Sequence, residues 1–233
     1  MTLTELRPAR ALRRRVLPDP VLLTVLSFGT GFVDALTYLG LDHIFGANMT
    51  GNLILVGIGL TGDWERLFHP LVAILSFCAG SMLAGTCHRL MEARKHGSPA
   101  PRTLFLTTGV LLAASAVLAA MDTARSLGLV ITVLIGVAMG CQGLAARLLG
   151  VPEINTLVVT STLSQFFAEA GAGRIWRKRR ISTRQLAAIS SMLAGAVVGA
   201  VVLPIAGLAT IAVPSGLVVV MALFSRRLEP KTT

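Results

Sequence analysis

The sequence predicts an all-α membrane protein with six transmembrane helices. They form two inverted three-helix repeats, each with a short re-entrant or broken helix. Three observations predict it. Hydrophobic residues make up 54% of the 233-residue chain and charged residues only 14%, whereas soluble domains carry about a quarter charged. Windows of about 20 residues nearly free of charge recur, the length a helix needs to cross a hydrocarbon core; a β-barrel would show weak alternating segments instead. Finally, the apolar stretch ANMTGNLILVGIGL, Ala47 to Leu60, has a cousin in NTLVVTSTLSQFFA at 155–168, with Thr160, Ser161 and Leu163 each 110 positions after Thr50, Gly51 and Leu53. Both are too short to cross comfortably and read as helices that dip into the membrane.

The distribution of charge sets the orientation. Lys and Arg total 21 against 11 Asp and Glu, a net charge of +10, and such a surplus suits nucleic acid, an acidic partner or a membrane face. Here the basic residues gather between apolar segments, at Arg7 to Arg15, Arg89 to Arg102, Arg174 to Arg184 and Arg226 to Lys231. That is the positive-inside pattern, with anionic lipid as the partner of the basic loops and no nucleic acid. Cys78, Cys87 and Cys141 lie in or at the ends of apolar segments without a CxxC or Cys/His cluster. This argues against disulfides, a metal or a cofactor.

In chain order, residues 1–20 read as a basic cytoplasmic tail closed by Pro18 and Pro20, and Val21 to Gly40 as an uncleaved first span. Ser27, Thr30, Asp34 and Thr37 form a polar stripe at helical spacing, which should face protein or a cavity rather than lipid. After the short element, the connection at 62–70 ends in Pro70, placed for the first turn of a second span from Leu71 to Leu90. In that span Ser76, Gly80 and Ala84 recur every four residues, the spacing that lets helices approach closely in lipid. Thr103 to Met121 and Leu127 to Leu148 are the third and fourth spans, joined by a tight turn at Asp122 to Ser126. The second short element and the basic RIWRKRR follow. A fifth span from about Gln185 to Leu203 repeats the small-residue row as Ser191, Gly195 and Gly199; a sixth runs from about Gly207 to Phe224, and 226–233 is a second cytoplasmic tail.

Counting crossings decides the repeat. With both short elements crossing, the loop holding Arg89, Arg94, Lys95 and Arg102 would lie outside; with neither crossing, every basic cluster and both termini fall in the cytoplasm. One transmembrane domain, 21–225, then splits into repeat one at about 21–121 and repeat two at about 127–225. A unit with an odd number of crossings duplicates upside down. Inverted repeats with interrupted helices are a transporter architecture whose site lies near the midplane.

The candidate path residues follow from this picture. Asp34 is a carboxylate inside a span, either a proton relay or cation site, or a structural group that orients the first two elements. Asn48 or Thr50, and Asn155 or Thr156, are N-cap candidates for the short helices, whose starts direct N–H groups at what lies beyond them. Gln142 matches Asp34 when GFVD is laid over GCQ, and either shares the site or makes an interhelical hydrogen bond. Thr50, Gly51, Asn52 and Thr160 either line a path or let helices approach. Arg147 and Glu153 are a gate, or a snorkelling arginine beside a loop acid. The four histidines fall in loops or at span ends and are read as solvated.

At GFVDALTYLG (31–40), NMTGN (48–52) and GCQGLAARLLG (140–150), followed by the Thr160 element, the chain resembles the YoaK-type family of bacterial inner-membrane proteins. The resemblance covers about residues 20–225 and is looser in the second half, where Ser161 and Thr162 stand in place of Gly and another small residue. It implies a six-span inner-membrane protein and supplies no substrate. The functional expectation is a small-solute transporter or channel with its site between the repeats. The alternative is a non-transporting scaffold that assembles, with its own copies or others, through small-residue faces. No Ser/His, Cys/His or HExxH arrangement lies at membrane depth, so no enzyme is expected.

Overall fold

A computed structural model describes residues 19–62, 64–93, 101–122, 126–148, 164, 167–168 and 179–224. Among these the chain forms seven α-helices, one 3-10 helix and no strand. The helices are α1 (Asp19–Gly40), α2 (Met49–Gly59), α3 (Trp64–Ala93), α4 (Pro101–Met121), α5 (Gly128–Leu148), α6 (Arg179–Ala206) and α7 (Ala212–Phe224). Asn155, Thr156 and Thr160 of the second short element lie outside the described residues.

Helices α1, α3, α4, α5 and α6 contain stretches long and apolar enough to cross a membrane. The stretch expected as a sixth span differs. Pro204 sits in the last turn of α6, and Gly207 follows at φ +66, a backbone state that stops the helix. The chain resumes as the 3-10 helix Leu208–Ile211 and the 13-residue α7. Together they make a shorter apolar segment, Leu208–Leu223, below the roughly 20 residues a simple crossing needs. Pro70 is a second correction, because α3 begins at Trp64 and carries this proline inside the helix. Its missing N–H removes one backbone bond, to the carbonyl of Arg66 in the first turn.

The two largest helix contacts skip along the chain: α1 packs chiefly on α6 and α3 on α5, while α4 packs on its neighbour α5 and on α7. Two apolar clusters result. Leu22, Leu26, Leu104, Phe105, Ala145 and Met221 gather near the start of α1 and the end of α5. Phe32, Leu36, Ile44, Leu112, Ile131 and Ile135 gather at the opposite end. At that second end Asp122 caps α5, its carboxylate accepting from the amides of Ser126 (2.8 Å) and Leu127 (2.7 Å) and from the Ser126 hydroxyl (3.0 Å). Desolvation, the largest single effect, pushes this carboxyl up, but the three hydrogen bonds together outweigh it and hold it below the usual carboxylate range.

Several close helix approaches fall on glycines. A Cβ at Gly80 would strike the Val137 carbonyl and one at Gly140 the Phe77 carbonyl, where α3 meets α5; one at Gly31 would strike the Met192 carbonyl and one at Gly195 the Phe28 carbonyl, where α1 meets α6. Removing the Cβ lets backbones touch where lipid offers no hydrophobic drive. Around them Ser76 lies under Gly136, Gly199 faces Phe32, Ala84 is buried, and the Ser191 hydroxyl donates to the Thr24 carbonyl at 2.7 Å.

Candidate functional site

The polar stripe of α1 faces inward. Ser27, Thr30, Asp34 and Thr37 are all buried, and the three hydroxyls donate to carbonyls of their own helix, as Ser27 to Leu23 at 2.8 Å and Thr37 to Val33 at 3.0 Å. A helix satisfied in this way can bury hydroxyls without interhelical partners.

After Gly40 the chain turns through Asp42 and His43, both at positive φ, a conformation these residue types tolerate better than most. It then runs back along α1. The Gly46 amide donates to Thr37 Oγ1 at 2.9 Å, and the Ala47 and Asn48 amides donate to Asp34 Oδ1 at 2.6 and 3.2 Å. Asp34 stands six residues before the end of α1, so the loop descends about 9 Å before α2 starts. Asn52 holds the loop from the other side: its Oδ1 accepts from the Phe45 amide at 2.8 Å and its Nδ2 donates to the Phe45 carbonyl at 2.7 Å. Buried backbone needs such partners, and here side chains supply them.

Asn48 caps α2, its Oδ1 accepting from the Gly51 amide (3.2 Å) and from the Thr50 hydroxyl (2.7 Å). Gly51 leaves room for the Phe45 ring, whose nearest atom would lie 2.7 Å from an added Cβ. Helix α2 has 11 residues and packs along α3, with Gly59 against Leu67. Its first-turn amides carry a partial positive charge, which the Asp34 carboxylate beside Asn48 complements.

These elements surround a cavity of about 550 Å³. Leu26, Thr30 and Asp34 of α1 form one wall, and Met139, Gln142 and Ala146 of α5 face it. Ala47 to Thr50 close one end, while Phe77 and Ser81 of α3 and Met192 of α6 complete the side. Gln142 is 7% exposed, and its Oε1 has no hydrogen-bond partner among the described residues. Arg147, on the last turn of α5, sits at the cavity edge and is exposed.

The structure therefore brings Asp34, Asn48, Thr50 and Gln142 to one cavity. Gly51 and Asn52 belong to the clamp on the loop instead, and Asn52 is fully buried behind it. Phe77, Ser81, Met139 and Met192 were not legible as cavity residues, because each reads as one more apolar or small residue on a span. Of the histidines read as solvated, His88 is buried, since α3 continues to Ala93 and leaves it within the helix body. His69 Nε2 lies 3.3 Å from an Asp42 carboxylate oxygen. Among the described residues no group of three His, Cys, Asp or Glu could hold a metal ion.

An all-helical membrane protein with a cavity between its helices, where the buried Asp34 and Gln142 stand among apolar side chains, is the class defined by this arrangement. The chain belongs to the family described as "Protein of unknown function (DUF1275)", whose sequence profile matches residues 22–224. It is 31% identical over 165 residues to the UPF0700 transmembrane protein YoaK of Bacillus subtilis (strain 168), across 70% of this chain and 71% of that one. No solved structure matches the chain.

Proposed function

We propose that the protein is a small-solute transporter or channel of the bacterial inner membrane, with its site in the cavity between two inverted repeats. The observation that carries this reading is the cavity, because it joins an intramembrane carboxylate, the start of a short helix and an unsatisfied amide in one space. Groups of that kind at membrane depth mark solute or ion routes. The rival reading, a scaffold, has less to work with: Gly80, Ser191 and Gly195 already lie against helices of the same chain. No catalytic step enters the proposal.

The inverted repeat draws support from reciprocal contacts. Gly31 meets Met192 as Gly140 meets Phe77, and Gly195 meets Phe28 as Gly80 meets Val137, so α1 pairs with α6 as α5 pairs with α3. That register matches Gly31 with Gly140. It aligns Asp34 with Gly143 and Gln142 with Val33, one residue away from the alignment read off GFVD and GCQ. Both side chains nonetheless line the same cavity. In this arrangement α2 is re-entrant, the loop before it descending along α1 and the helix returning beside α3. The 3-10 helix and α7 together stand for the sixth crossing.

With the N-terminus, basic loops and C-terminus in the cytoplasm, Trp64 lies outside. A Trp64→Cys variant in a background lacking Cys78, Cys87 and Cys141 is expected to react with a membrane-impermeant thiol reagent added to intact spheroplasts. Protection until lysis would reverse the orientation.

The test of function is solute flux into liposomes containing the purified protein. Asp34→Asn keeps an oxygen for the Ala47 and Asn48 amides and removes the charge. It is expected to leave the melting temperature nearly unchanged and to cut flux by about tenfold or more, the scale of losing one buried charged contact. Equal flux by parent and variant for every solute moved would make Asp34 a loop anchor only. Movement of no solute by the parent would count against transport itself.

A further inference from the structure

We propose that the cavity takes an amphipathic organic cation, a protonated amine on an apolar body, held by the Asp34 carboxylate and the Gln142 amide oxygen. The inference rests on the transporter reading and names the substrate class for the same site. Asp34 offers only acceptor oxygens and Gln142 an amide whose oxygen can be turned to the cavity, and each side chain is only 7% exposed. Both loop amides go to Asp34 Oδ1, and Gln142 Oε1 has no donor among the described residues. A buried acceptor without a donor is costly, so the site favours a ligand that brings N–H groups. A carboxylate repels anions and, hydrogen-bonded to an ammonium, makes the stronger charge-assisted contact.

The remaining wall sets the rest of the ligand. Leu26, Phe77, Met139, Leu144 and Met192 supply an aromatic ring, thioethers and aliphatic surface. Aromatic faces attract cations, and methionine adapts to irregular shapes. A volume of about 550 Å³ is that of an organic-ligand site, and a bare metal ion would need several converging oxygens. The other charged group at the cavity, Arg147, lies exposed at its edge. An anionic ligand would be drawn there rather than to the pair of acceptors.

The test uses three probes with one apolar body, phenethylamine, 2-phenylethanol and phenylacetate, titrated calorimetrically into the full chain in detergent micelles. Phenethylamine is expected to bind saturably and about tenfold or more tighter than the alcohol. Asp34→Asn and Gln142→Met should each weaken the amine by about tenfold while leaving the alcohol unchanged. Gln142→Met removes the free acceptor without touching the loop, so it keeps the test intact if Asp34→Asn fails to fold. Amine binding no tighter than the alcohol, or indifferent to both substitutions, overturns the inference. Preferential binding of phenylacetate overturns it too. In those cases the transporter reading stands or falls separately, on whether any neutral or anionic solute moves in the liposome assay.

Discussion

Replacing Asn52 with alanine is expected to destabilise the protein by about 2–5 kcal/mol, because the Phe45 amide and carbonyl would both lose their partner. The side chain is fully buried, so water does not replace it cheaply. Asn52→Asp should be no better, since it sets a carboxylate oxygen against the Phe45 carbonyl in place of an amide donor. Asn48→Ala is the comparison: it removes a helix cap and should cost about 1 kcal/mol. Thermal unfolding of the three variants in detergent checks the order. Equal, small losses for Asn52→Ala and Asn48→Ala would show that the loop is not held by Asn52. Loop displacement in Asn52→Ala should also weaken solute binding, since Ala47 to Thr50 close the cavity.

Gly140→Val should be as severe, at about 3 kcal/mol or more, or should prevent the protein from accumulating. A Cβ there would run into the Phe77 carbonyl and come within 2.7 Å of the Ser81 amide, both parts of a helix backbone that cannot rotate away. Gly195→Val should act alike through the Phe28 carbonyl. Gly85 is the control, lying on α3 with nothing within 4 Å of an added Cβ. Gly85→Ala should raise stability by about 0.5–1 kcal/mol through helix propensity alone. Folded yield and melting temperature report both changes, and a well-folded Gly140→Val protein would refute the close contact between α3 and α5.

Much of the fold is legible because lipid imposes a coarse code. A charge-free run of sufficient length has one economical conformation in a bilayer, which is why the ranges read for α1, α4 and α5 lie within two residues of those observed. The short length of α2 is legible for the same reason, and Asn48 as its cap follows from side-chain chemistry at a helix start. The end of the chain was less clear. Hydropathy runs through Gly207 without a break, whereas the backbone does not, and a positive φ at one glycine leaves no mark on composition. Pro70 misled for the opposite reason, since a proline near a helix start and one at its first residue look alike in sequence.

By itself, then, the order of residues determined a membrane-embedded helical chain, the inward polar stripe of Ser27, Thr30, Asp34 and Thr37, and a helix too short to cross. Each depends only on local periodicity and on the cost of burying polar groups in hydrocarbon. Tertiary structure alone decided that α1 lies on α6 and α3 on α5, that Asn52 clamps Phe45 while Asp34 anchors the loop, and that Gln142 shares a cavity with Asp34. Those outcomes join residues as far as 167 positions apart, and they turn on which helix faces meet and at what depth, information carried by the packing of the whole bundle rather than by any one segment.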